Sequence, residues 1–247
     1  MDPGYYVAAG SLKARSFQLD VVANNLANAA TVGYKPDQPF FAVFNKAGAS
    51  GRGLPLTPYV NDGVVFGETG VVFKQGALRA TARPLDLAVE GNGFFTVRTA
   101  DGDRVTRDGR FQMGVDGQIQ AEDGSPVLGK NGQPIKVDPK QGNVTIAADG
   151  SVSQGGQALG QIALTAFEKP GALKRTGNLR FDPAGQATAP VKATVAQGHV
   201  EESGVDTASA MVEMIRLNRL FEISQKVAST ISYDLDSRSI NDVAISK

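Results

Sequence analysis

The chain has 247 residues, with 29 glycines, 7% aromatic residues, no tryptophan, no cysteine, and 25 basic side chains balanced by 25 acidic ones. That balance leaves no electrostatic footprint for nucleic acid, the absence of cysteine excludes disulfide and thiol chemistry, and no apolar run reaches the roughly 20 residues that span a membrane. The length allows one large or two small domains, the glycine content suits a turn-rich β body, and a cysteine-free chain suits export in an unfolded state into an oxidising space.

Segment 1–35 begins Met1-Asp2-Pro3-Gly4, with no basic region followed by an apolar stretch, so no cleavable signal peptide is readable. Asp2-Pro3 instead predicts a helix start, an N-cap acceptor followed by proline at the first helical position. Tyr5, Leu12, Leu19 and Leu26 recur every seven residues, and Ala8, Ala9, Val22 and Ala23 fill the alternate turns of the same face. This is a heptad seam whose small positions allow close helix approach. Gly33 is placed to stop the helix in the left-handed conformation, and Pro36 prevents its return. Asn24, Asn25 and Asn28 are unusual on a helix, because asparagine competes for backbone hydrogen bonds. Spacing leaves two readings open: fraying before Gly33, or amides that bond neighbouring helices.

Segment 36–70 is a connector. Pro36, Pro39, Pro55 and Pro58 interrupt it, Gly48, Gly51 and Gly53 loosen it, and Phe40, Phe41 and Phe44 offer anchors in a short extended element.

Segment 71–200 alternates short β-prone runs with turn signals. Leu85-Asp86-Leu87-Ala88-Val89 alternates, and Gly93-Phe94-Phe95-Thr96-Val97-Arg98 follows it. Asp-Gly pairs stand at Asp101-Gly102, Asp108-Gly109, Asp116-Gly117, Asp123-Gly124 and Asp149-Gly150, with Asn131-Gly132 beside them. Such pairs favour hairpin turns that match strand twist. Gln161-Ile162-Ala163-Leu164-Thr165-Ala166-Phe167 reads as a central strand. With no helix-length periodic segment, the region is expected to be an irregular β-sandwich or barrel-like body.

The Asp-rich turns do not make a calcium site. An EF-hand frame starting at Asp101 puts Val105 and Gln112 where oxygen ligands are required. Gly91-Asn92-Gly93 opens like a dinucleotide fingerprint, but Thr96 occupies the third glycine position and no helix follows. His199 is the single histidine, so zinc sites and Ser-His-Asp constellations lack their parts. A glycosidase needs only two carboxylates, yet nearly every Asp here stands in a turn beside glycine, where its local role is explained. The sequence therefore predicts no catalytic residue, cofactor or metal.

Segment 201–247 is the second helical segment, with Asp206 or Thr207 as cap. Met214, Phe221, Ala228 and Leu235 recur every seven residues, interleaved with Ala210, Leu217, Ser224 and Ile231. Val212, Ile215, Leu220, Ile223 and Val227 widen the stripe into a broad apolar face that wants partners on more than one side. Arg219, Glu222 and Lys226 stand at i+3 and i+4 spacings, so Glu222 can pair both ways, at about 0.2–0.5 kcal/mol per exposed pair. Fixing backbone costs about 1–2 kcal/mol per residue, against a return of about 1.5–3 kcal/mol per fully buried large apolar side chain. An isolated pair of helices buries one face at best. The two terminal segments are thus expected to pair as a coiled-coil-like domain, loose in the monomer and helical in a polymer of heterologous contacts.

Three blocks resemble the axial proteins of the bacterial flagellum, the rod and hook subunits. The first is Ala23-Asn24-Asn25-Leu26-Ala27-Asn28 with Thr31 and Gly33-Tyr34-Lys35. The second is Leu85-Asp86-Leu87-Ala88-Val89-Glu90-Gly91-Asn92-Gly93-Phe94-Phe95, then Thr106-Arg107-Asp108-Gly109-Arg110-Phe111 and Asp116-Gly117. The third is Val200-Glu201-Glu202-Ser203, then Met214-Ile215, Arg219, Phe221-Glu222 and Lys226. The resemblance implies a proximal-rod subunit, with a distal-rod subunit as the alternative. It further implies export through the flagellar type III apparatus without a cleaved signal, and polymerisation in the periplasm with itself and other rod proteins. The termini would form an inner tube that carries torque from motor to hook. No nucleic acid, small-molecule substrate or membrane insertion is implied. Gly204 stands where the family commonly has asparagine. Outside this family, the same pattern fits a β-rich binding or adhesin module with helical oligomerisation ends. The expected assembly residues are Leu12, Leu19, Asn24, Asn25, Leu26, Asn28, Gly33, Met214, Ile215, Leu217, Arg219, Phe221, Glu222, Lys226 and Ile231.

Overall fold

A computed structural model describes residues 3–43, 64–177, 179–183 and 185–245. The chain opens with α1 (Pro3–Ala27) and the strands β1 (Asp37–Val43), β2 (Val64–Val71), β3 (Leu78–Ala80), β4 (Leu87–Gly91), β5 (Phe94–Thr99) and β6 (Gly102–Thr106). Next come β7 (Phe111–Met113), β8 (Ile119–Ala121), β9 (Val144–Ile146), β10 (Ser151–Gln154), β11 (Gln157–Gln161) and β12 (Leu164–Phe167). It closes with β13 (Lys174–Arg175), β14 (Arg180–Asp182), β15 (Thr188–Ala189), β16 (Ala193–Gln197), β17 (His199–Glu201) and α2 (Thr207–Ile245). The fold is mainly β with one helix at each end, and its sheet curls into a half-barrel.

Two compact units emerge. Residues 1–26, 37–70 and 207–247 form one, and residues 27–36 with 71–206 form the other. The second unit is built on a six-stranded sheet in the order β13-β14-β6-β5-β12-β15, with two-stranded sheets pairing β16 with β4, β17 with β3 and β7 with β8, and a three-stranded sheet in the order β11-β10-β9. The alternation of β5 assigns its faces. Phe95 and Val97 enter a large core with Leu87, Val89, Phe111, Ile119, Val127 and Val152. Phe94, one residue earlier, points the other way into a second core with Val105, Phe167, Leu173 and Phe181. Edge-to-face contacts link Phe73, Phe94 and Phe181 there, and Phe95 meets Phe111 at 5.0 Å in the other core. Because both faces of β5 are covered, Phe94 and Phe95 are each fully buried.

The turn chemistry sets the register of the hairpins. Gly102, Gly117, Gly124, Gly132 and Gly150 all have positive φ, and they close the turns marked by their Asp-Gly or Asn-Gly pairs. The acidic partners act locally. Asp116, Asp123, Asn131 and Asp149 each accept a hydrogen bond at Oδ1 from the backbone N–H two residues on. Asp108-Gly109 departs from the hairpin expectation. A side chain at Gly109 would collide with the Leu87 carbonyl and Phe95, so this glycine serves a close approach between strands. The run 161–167 also departs, since it divides between β11 and β12. Ile162 N–H donates to Gly150 O at the break, and β12 alone lies inside the large sheet, between β5 and β15. Nor does 85–89 alternate: Leu87, Ala88 and Val89 are all buried, as a strand covered on both faces requires.

In the first unit, β1 and β2 form a two-stranded sheet, so the expected extended element around Phe40 and Phe41 is one arm of a strand pair. Phe44 and the connector's Pro55 and Pro58 lie outside the described residues. Helix α1 ends at Ala27, six residues before Gly33, so Gly33 is not the helix stop expected of it; its φ of +71° shapes a later turn that sits against the Asp108 backbone. Leu12, Leu19 and Leu26 are half-buried, whereas Val21, off the expected seam, is buried. The Tyr5 side chain lies outside the described residues. Helix α2 has 39 residues, roughly 58 Å at 1.5 Å per residue. Its less exposed positions include Ala210, Met214, Leu217, Phe221, Ser224, Ala228 and Ile231, which is the seam read from the heptads.

Candidate functional site

Two features of the terminal segments stand out from the rest of the chain. The first is the outward side of α2. Leu217 is buried, and Met214, Phe221 and Ile231 are half-buried with it along one side. Met211, Val212, Ile215, Ile223 and Val227 are 50–67% exposed. At 3.6 residues per turn Val212, Ile215 and Ile223 project from the side away from the seam, with Met211 and Val227 on its two flanks. Arg219, Glu222 and Lys226 are exposed among them. Among the described residues Glu222 pairs with neither cation, contrary to the spacing argument; Arg216 and Glu213 form an ion pair instead, at 3.5 Å.

The expected asparagines do different work from one another. Asn25 clamps Asp37 within its own unit: its Nδ2 donates to Asp37 O at 2.8 Å, and its Oδ1 accepts from Asp37 N at 2.9 Å. Asn28 shapes the turn after α1, its backbone carbonyl accepting from Thr31 N and its Oδ1 from the Thr31 hydroxyl. Asn24 is exposed.

The second feature is the strap of residues 28–36, which belongs to the β unit. Two backbone hydrogen bonds lay it beside the start of the C-terminal segment. Gly33 N–H donates to Glu201 O at 2.7 Å, and Gly204 N–H donates to Tyr34 O at 2.9 Å. Gly33 sits against the backbone of Asp108, and an added Cβ would lie 2.7 Å from Asp108 N. Gly204 packs on Pro36, with a Cβ there only 3.0 Å from the Pro36 ring.

Beneath this strap lies a buried ionic cluster. Lys35 is 1% exposed, Arg107 4% and Glu201 not at all. Lys35 Nζ meets Glu201 Oε1 at 2.5 Å and donates to Lys74 O at 2.7 Å. Arg107 Nη1 reaches Glu201 Oε2 at 3.3 Å, while its Nη2 donates to Gly91 O at 2.6 Å. Gly76 N–H completes the carboxylate, donating to Oε1 at 2.8 Å. Burial lowers the Lys35 and Arg107 affinities for a proton, and the Glu201 carboxylate opposes both shifts. Two cations share one buried anion here; the carbonyls of Lys74, Val89 and Gly91 take further donors, while Arg107 Nε is left without an acceptor among the described residues. Arg175 closes the outer side, donating to Lys35 O at 2.6 Å with its guanidinium 4.9 Å from the Tyr34 ring centre.

Sequence reasoning named Gly33 as a helix stop and assembly residue, not for this place, and missed Lys35, Arg107 and Glu201 as partners. The available signal was that each is a charged residue inside one of the three recognised blocks, and that the charges are of opposite sign.

The charged groups around one cleft are paired with one another. A cleft of about 360 Å³ is lined by Thr106, Asp108, Arg110, Glu122, Asp123 and Arg180, among others. Arg110 bonds Asp108 at 2.8 Å and Glu122 at 3.4 Å, and Arg180 bonds Asp123. Among the described residues no cluster of three or more His, Cys, Asp or Glu is placed to hold a metal ion, and no helix is long and apolar enough to cross a membrane.

Residues 6–35, which carry α1 and most of the strap, match the family described as flagella basal body rod protein. Residues 88–154 match the flagellar hook protein FlgE/F/G D1 domain, and residues 196–241 match the flagellar basal body rod FlgEFG protein C-terminal family. Over its whole length the chain is similar to the flagellar basal-body rod protein FlgF of Mesorhizobium japonicum, at 35% identity over 90% of both chains. It is likewise similar to FlgF of Caulobacter vibrioides, at 34% identity over 92% of both. The chain belongs to the flagellar basal-body rod protein family. A rod protein of the FlgG type, from Buchnera aphidicola, is 31% identical over 93% of this chain and 96% of its own. The three recognised blocks of this rod protein converge at Glu201: Gly33-Tyr34-Lys35 from the first, Arg107 from the second and Val200-Glu201 from the third. Its relatives are structural rod proteins, and none of the matching families is catalytic.

Proposed function

We propose that this rod subunit occupies the proximal rod and polymerises through α1 and α2, which pair as a coiled-coil-like inner layer while the β unit is presented outward. The observation that carries this reading is the two-sided apolar character of α2. Its seam is half-buried around a buried Leu217, yet Met211, Val212, Ile215, Ile223 and Val227 remain open to solvent in the single chain. Singly, exposed apolar residues need no explanation. Five spread over the arc that the seam leaves free fit a helix packed on more than one side by neighbouring subunits. Such contacts are heterologous and extend into a tube, whose stiffness carries torque toward the hook. The chain would reach this place through the flagellar type III export apparatus, without a cleaved signal, and assemble in the periplasm with other rod proteins. The similarity to FlgF proteins supports a proximal place.

The test is deletion of the gene, complementation, and electron microscopy of isolated basal bodies. Short rods without hooks, restored by complementation, are the expected result. Rods that reach nearly full length before stopping would place the subunit distally, a reading favoured by the long match to FlgG proteins. Intact rods and hooks would overturn the rod assignment.

A further inference from the structure

The strap 28–36 is continuous with α1 but is fastened by residues far along the chain. Lys35 finds its acceptors 39 and 166 residues away, at Lys74 and Glu201. Arg175, 140 residues on, holds the Lys35 carbonyl. Nothing local explains why this segment lies down on the β unit.

The carboxylate of Glu201 is the common element. It joins Lys35 of the strap to Arg107, which follows β6, and its backbone carbonyl receives Gly33 N–H. Without it, two cations would face each other in a buried space, with Arg107 further lowering the proton affinity of Lys35. Water would then be the better partner for Lys35, and the strap would lift. Glu201 ends β17, the last strand, whose pairing with β3 completes the β unit.

We propose that Glu201 is a latch: the strap that follows α1 closes on the β unit only when β17 has docked and placed this carboxylate between Lys35 and Arg107. The closed strap then lies alongside residues 201–204, held by the Gly33–Glu201 and Tyr34–Gly204 backbone bonds. A subunit with an incomplete β unit keeps its N-terminal segment open. The device rests on the geometry within the β unit and is independent of where along the rod the subunit sits.

Amide hydrogen exchange on the full chain tests it, comparing the parent with Glu201→Gln, which keeps the shape and removes the charge. Exchange at Gly33 and Gly204 should accelerate at least about tenfold, while Val97 and Val105 in β5 and β6 stay within about twofold, as a local opening requires. A Lys35→Met, Glu201→Gln double variant should open no further than Glu201→Gln alone, because Lys35 has already lost its partner. Unchanged strap exchange would overturn the latch. So would equal acceleration across β5 and β6, which would make Glu201 an ordinary member of the core, or additive effects in the double variant.

Discussion

The β unit and the terminal helices solve the problem of burial in opposite ways. In the β unit, both faces of β5 are covered, the turn aspartates are satisfied by their own backbone, and three buried charges close on one another. Its stability is a property of the single chain. Helix α2 has Leu217 as its buried side chain among the described residues, while five large apolar side chains outside the seam face solvent. On the proposed reading, a substitution in the β unit is felt by the monomer, and a substitution at the exposed apolar positions of α2 is felt by the polymer.

Truncating the core should have the largest effect on the monomer. Phe95→Ala removes a fully buried ring from the large core and should cost about 3–5 kcal/mol, read from urea unfolding. Glu201→Ala should destabilise comparably, by about 3–5 kcal/mol, because it strands two buried cations. If its cost fell below about 1 kcal/mol, the ionic cluster would be incidental to the fold. Gly33→Ala should cost about 1–3 kcal/mol, since φ +71° is strained for alanine and its Cβ meets the Asp108 backbone.

A smaller effect is expected from acid. Burial opposes ionisation of Asp123, but hydrogen bonds from Arg180 and Ser125 outweigh it and hold the carboxyl below the ordinary value of 3.8. The backbone and hydroxyl of Ser151 do the same for Asp149. Both groups bind protons more readily when unfolded, so their contribution is fully present above the ordinary value and is lost as pH falls through the lower folded one. Thermal melts should therefore decline below about pH 4, and Asp123→Asn should flatten that decline. The smallest effect on the monomer is expected at Ile215 and Ile223. Changing either to Asp should leave unfolding within about 0.5 kcal/mol of the parent.

Much of this division was legible in the sequence, and the reason differs by region. Heptad spacing found the seam of α2, because helix burial repeats with a short period that sequence displays directly. Asp-Gly and Asn-Gly pairs found most hairpin turns for the same reason: the signal and the structure are both local. Asp108-Gly109 misled because the same dipeptide also serves a close approach to Leu87, which is remote in sequence. The run 161–167 looked like one strand because apolar continuity does not reveal that Ile162 bonds to Gly150 and breaks the ladder. Asn25 could not be assigned from spacing, since its partner Asp37 lies beyond the helix stop. The Lys35–Arg107–Glu201 cluster was the hardest to see. Its members are separated by up to 166 residues, and a buried ion pair leaves no periodic trace.

The outer side of α2 bears the central claim, and one measurement addresses it most directly. An Ile215→Asp, Ile223→Asp chain would be expressed in a strain lacking the parent gene, its basal bodies imaged by electron microscopy, and the purified monomer melted alongside. The account predicts a monomer that unfolds like the parent and basal bodies whose rods stop short without hooks. Full-length rods carrying hooks, built from a chain with two carboxylates on that side, would contradict it.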